Sequence, residues 1–82
     1  MDTKKRCSIM MQRWLRQRES LSQDQLAEVL GVSQPLVSQW EHGRCDLTVQ
    51  AALALADLYR VPVDVILGNS VPTEFLEQKG WL

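Results

Sequence analysis

Eighty-two residues with a formal net charge of −1 make one small domain, with no bulk charge to draw it to a polyanion. No apolar run reaches the roughly 18 residues of a membrane span, and the basic start MDTKKRC leads into no apolar signal-type segment, so a cytoplasmic chain without membrane contact is expected. Two cysteines without a CxxC, and a single histidine, point to free thiols rather than a disulfide or metal set.

The apolar spacing predicts an all-α chain of five helices and a tail. Helix 1 runs from about Thr3 to Glu19, with Met11, Trp14 and Leu15 on one face and Cys7 a turn earlier. Leu21 before Ser22 has the form of a hydrophobic staple, and Ser22 with Gln25 forms a capping box that starts helix 2. Helix 2 buries Leu26, Ala27 and Leu30 and stops at Gly31, which can take the left-handed conformation. Helix 3 starts near Ser33 or Gln34 and ends at His42, with Gly43 next. Pro35 is tolerated in a first turn but disfavours helical angles at Gln34, so Gln34 can serve as the cap. Helix 4 extends from an N-cap at Thr48 to Tyr59, with Val49, Ala52, Leu53, Ala56 and Tyr59 as its inner stripe. Pro62 opens helix 5, where Val63, Ile66 and Leu67 complete the core before Gly68.

Helices 2 and 3 carry the most information. Over QDQLAEVLGVSQPLVSQWEH, residues 23–42, Ala27 permits a close crossing, Gly31 makes the turn, and Val37 with Trp40 turns the second helix onto the body. This is a helix-turn-helix pattern, with its second helix over about 33–42. At a hundred degrees per residue, Gln34, Pro35, Ser38 and Gln39 fall within about 140° of one another, away from Val37 and Trp40. A face of amides and hydroxyls suits base edges in a major groove: glutamine can pair with adenine N6 and N7, and serine serves several bases. Pro35 offers only apolar contact, as with a thymine methyl. The N-terminal amides of helix 2, where Gln23 stands, form an anion site suited to a backbone phosphate.

From Leu15 to Gly68 the chain resembles the phage-repressor-like (Cro/C1, XRE-type) helix-turn-helix DNA-binding family, a five-helix lambda-repressor-like fold. LR at 15–16, LSQDQLAEVLGVS at 21–33, VSQWEHGR at 37–44 and LYRVPVDVILG at 58–68 carry the likeness. It implies a domain over 1–68 and a tail over 69–82. It also implies that Ser33, Gln34, Pro35 and Ser38 sit at the groove, and that Gln23 and Arg44 lie against phosphates. Arg16 and Glu41 match a partly buried pair between helices 1 and 3, and such a pair resists the loss of either partner. The family usually has an apolar residue where this chain has Gln12, so the inner stripe of helix 1 is shifted or supplemented.

Residues 1–44 hold seven Lys or Arg against five acids, and residues 45–82 hold two against five. The positive face is therefore local, and binding should rest more on correct contacts than on bulk attraction. Lys4, Lys5 and Arg6 could reach phosphates as a flexible arm, or form a solvated terminus. His42 lies where a helix dipole favours a cation, and neither Cys45 nor Asp46 completes a metal set. No motif pairs a nucleophile with a base and no glycine-rich loop has phosphate-binding spacing, so neither enzyme activity nor a cofactor is expected.

In the tail, TEFLEQK can form a short sixth helix carrying Phe75 and Leu76, followed by apolar Trp81 and Leu82. These four either fold back on helix 1 or 5, cross to a second subunit, or meet another protein. Sites for the family are two-fold symmetric, so the resemblance implies a homodimer reading half-sites about 34 Å apart. The expected function is a transcriptional regulator on an inverted-repeat operator, of Cro-like repressor or restriction–modification controller type, with RNA polymerase as a further protein partner. The alternative is an antitoxin that neutralises a partner toxin and autoregulates its operon.

Overall fold

The computed structural model describes residues 3–81, which form six helices. In chain order they are α1 (Thr3–Arg18), α2 (Gln23–Leu30), α3 (Gln34–Glu41), α4 (Val49–Tyr59), α5 (Val63–Ile66) and α6 (Thr73–Gln78), and the described residues include no strand. Ser22 Oγ accepts from Gln25 N at 3.0 Å while Ser22 N donates to Gln25 Oε1 at 2.8 Å, closing the capping box of α2. Gly31 ends α2 with φ +71°, the left-handed value that a glycine takes at no steric cost.

Two start signals needed correction. Ser33, not Gln34, caps α3: its Oγ accepts from Leu36 N, and Gln34 is already helical ahead of Pro35. Serine at the cap satisfies an orphan amide that a glutamine would leave to water. Lys4, Lys5 and Arg6 form no arm, because α1 begins at Thr3 and carries all three on its first turns.

The core draws Met11 and Leu15 from α1, Leu26 and Ala27 from α2, Val37 and Trp40 from α3, and Val65 and Ile66 from α5. In α4 the inner stripe is Ala52, Leu55, Ala56 and Tyr59, while Val49 and Leu53 are 75% and 55% exposed. Nearly every residue of VQAALALADLY is apolar, so periodicity alone did not select a face; packing chose the i, i+3, i+4, i+7 set. Similarly, Leu67 stands outside the core and Val63 is half-buried, with Val65 taking the inner place in the single turn of α5. Leu30 is half-buried rather than buried.

Gln12 is an inner residue of α1, 6% exposed, and its amide donates to Ser8 Oγ at 3.2 Å. Ser8 Oγ in turn donates to Ile66 O, so a polar chain supplements the inner stripe and ties α1 to α5. Gly68 packs onto the same stretch of α1, near Lys4 O and Ser8 N. Tyr59 is buried with its hydroxyl unpartnered among the described residues, and burial pushes its phenol well above the usual tyrosine range.

The tail returns to the body. Phe75 is fully buried, with Trp14 edge-on at 5.3 Å between centroids, and Trp14 Nε1 donates to Gln78 Oε1 at 3.0 Å. The reading of Phe75 as a dimer or partner contact is therefore corrected. Its ring is sealed inside its own chain, where it removes more apolar area from water than an exposed patch could. Leu76 is half-buried, Trp81 stacks edge-on against Phe75 yet stays 64% exposed, and Leu82 lies outside the described residues.

Candidate nucleic-acid interface

Helices α2 and α3 pack against each other, with Ala27 of α2 buried and Val37 and Trp40 burying the inner side of α3. Its other side carries Gln34 and Ser38, both half-buried, with Pro35 and Gln39 exposed; Ser33 is exposed at the cap. The side chain of Gln39 has no hydrogen-bond partner among the described residues.

Behind this face runs a continuous polar relay. Arg16 grips Glu41 with two arms, Nε to Oε2 at 2.7 Å and Nη2 to Oε1 at 3.0 Å, while its third nitrogen, Nη1, donates to Leu21 O at 2.8 Å. The hydrogen bond to Glu41 raises the Arg16 pKa above its ordinary value against the opposing effect of burial. Glu41 is 2% exposed and also accepts from Gln23 Nε2 at 3.2 Å. Gln23 Oε1 then accepts from Gln34 Nε2 at 2.7 Å. The relay thus joins α1, α2 and α3 and ends on the outward face.

Chemistry fixes the direction of every bond in it. A carboxylate paired with a guanidinium only accepts. Gln23 must therefore turn its NH2 to Glu41, which leaves its carbonyl for Gln34, and Gln34 must answer with its own NH2. Gln34 is left with one carbonyl oxygen and one N–H for an outside partner. Gln23 keeps one N–H. An acceptor beside a donor is the pattern that complements adenine N6 and N7.

The remaining cations are unevenly available. Arg18 donates to Tyr59 O at 2.7 Å and pairs with Glu19 and Glu74, so it belongs to the fold. Arg13 donates to Glu41 O, and Lys5 pairs with Asp46 at 3.1 Å. Lys4, Arg6 and Arg44 show no ion pair among the described residues. Arg44 follows α3, where its backbone N donates to Gln39 O at 2.9 Å. His42, the C-cap of α3, sets Nδ1 2.7 Å from Ser38 O and 3.3 Å from Ser38 Oγ.

Helical spacing had placed Gln34 and Ser38 on one face, but not Gln23 against Gln34. That contact crosses the turn between two helices, joining residues eleven places apart. The link between Ser38 and His42 is an i, i+4 pair of the kind that helical spacing alone brings together. No group of three His, Cys, Asp or Glu among the described residues could hold a metal, and no helix is long and apolar enough to cross a membrane. Among known protein families, the model described as a helix-turn-helix domain matches residues 13–66. Neither the curated proteins nor the solved structures provide a significant match.

Proposed function

The chain belongs to the helix-turn-helix domain family, and from that premise we propose that it is a sequence-specific double-stranded DNA-binding regulator of transcription, acting as a homodimer on an inverted repeat. The observation that carries this reading is the relay from Arg16 to Gln34, which holds a donor and an acceptor side by side on the outward face of α3. Gln34 reads adenine, Ser38 and Gln39 read neighbouring edges, and Pro35 lies against a thymine methyl. Gln23 presents its spare N–H to a phosphate beside that base, while Ser33 and Arg44 meet the groove at the two ends of α3. Arg6 adds a cation from α1, and Lys5 joins it by exchanging Asp46 for a phosphate.

One α3 reads only a few base pairs, so specificity needs two copies about one helical turn apart. The apolar side chains left outside the core, Val49 and Leu53 on α4, Leu67 after α5 and Trp81 in the tail, supply surface for the second copy. For the antitoxin reading the tail divides: Phe75 is buried, against it, while Trp81 is 64% exposed.

Selection of bound duplexes from a random-sequence pool at near-physiological salt tests the proposal. It should recover one palindromic motif with half-sites about 10 base pairs apart, centre to centre. Recovery of no motif, or of a motif without two-fold symmetry, would count against it.

A further inference from the structure

His42 is the only histidine in the chain, and it stands on the outward face of α3. Counting a hundred degrees per residue, it lies about 80° round the helix from Gln34, inside the arc defined by Gln34, Pro35, Ser38 and Gln39. Its contact with the side chain of Ser38 places it on that side as well.

The ring is chemically oriented. A backbone carbonyl can only accept, so the 2.7 Å approach of Nδ1 to Ser38 O requires a hydrogen on Nδ1. Nε2 is then the position that gains or loses the proton. Neutral, it offers a lone pair and repels an oxyanion. Protonated, it offers an N–H and a positive charge.

The charged groups around it come from three elements. Arg6 and Arg13 of α1 and Lys79 at the end of α6 line the same cleft as His42, together with Glu41 of α3 itself. Three cations around one carboxylate that is already bound by Arg16 and Gln23 make an electropositive corner at the end of the reading face. The N-terminal end of such a helix meets base edges. A group two turns further along meets the sugar–phosphate backbone instead.

We propose that His42 is a proton-dependent phosphate contact: it donates Nε2–H to a backbone phosphate, so that binding DNA takes up a proton. The inference rests on the reading of α3 as a duplex-binding helix and adds a residue, and a dependence on pH, that the family match does not assign. The direction follows from linkage: a proton held more tightly in the complex than in the free protein makes affinity rise as pH falls.

The test measures affinity for the duplex most enriched by the selection above, at about pH 5.5 and about pH 7.5, with wild-type protein and His42→Gln. The exposed site should leave the variant folded, which a thermal melt checks. Wild-type affinity should rise about three- to tenfold at the lower pH, since each pKa unit gained on binding is tenfold. Its log affinity against log salt should also steepen by about 0.9, one more phosphate neutralised. His42→Gln should lose both effects. Binding of wild-type protein that ignores pH, or an equal dependence in the variant, overturns the assignment while leaving α3 as a reader. A pH dependence without the change in salt slope moves the contact from phosphate to base and also overturns it. Failure of both proteins to bind at either pH overturns the duplex-binding reading itself, and this assignment with it.

Discussion

Arg16→Ala should destabilise the fold by about 3–5 kcal/mol, the cost of leaving a buried charge without its partner. The side chain of Glu41 is 2% exposed, against 13% for that of Arg16, so truncating the arginine strands the deeper of the two. It also removes the donor to Leu21 O and leaves the Gln23–Gln34 pair anchored to an uncompensated carboxylate. At about 4–8 °C per kcal/mol for a chain this short, the thermal midpoint should fall by more than about 12 °C. DNA affinity should drop beyond what unfolding explains, since the carboxylate that anchors Gln23, and through it Gln34, loses its own partner. A midpoint within about 2 °C of the wild type would mean that the pair is not what fixes α3.

Gly68→Ala should be nearly as damaging, for an unrelated reason. At φ +83° any side chain is strained, by about 1–2 kcal/mol. A Cβ there would also fall within 2.2 Å of Lys4 O and 2.8 Å of Ser8 N, both backbone atoms of α1 that no rotamer change can move. Relief requires the end of α5 to lift away, breaking the bond from Ser8 Oγ to Ile66 O. Overpacking of this kind adds about 1–3 kcal/mol, so a total near 2–5 kcal/mol is expected from urea unfolding. Gly31→Ala is the control: its φ is +71° but nothing lies within 4 Å, so only the conformational cost applies. Equal losses in the two variants would show that the contact with α1 contributes nothing.

Much of this architecture is written locally. The Ser22–Gln25 box, the Thr48 cap and the Gly31 turn involve residues at most a few places apart, and the helices they bound are where the pattern put them. The face of α3 was legible because Val37 and Trp40, three apart, are the apolar residues of that helix that are fully inward. Where apolar residues crowd, as in α4, the sequence did not say which of them face in, and Leu55 was overlooked in favour of Val49 and Leu53. Contacts that depend on distant chain segments were silent as well. The approach of Gly68 to α1 joins residues some sixty places apart, and nothing in their local pattern records it. Phe75 illustrates the same limit. The helix TEFLEQK was foreseeable, but whether its aromatic ring turned inward depended on Trp14 at the other end of the chain. The Gln23–Gln34 bond belongs to this class too, and it is the feature that fixes a donor and an acceptor on the polar face of α3.

The claim that α3 reads bases through Gln34 is tested most directly by repeating the duplex selection with Gln34→Ala. The motif should lose its preference at one base pair in each half-site, by about 1–3 kcal/mol, and keep its symmetry, spacing and remaining positions. A motif identical to that of the wild type would contradict the claim and place recognition elsewhere on the molecule.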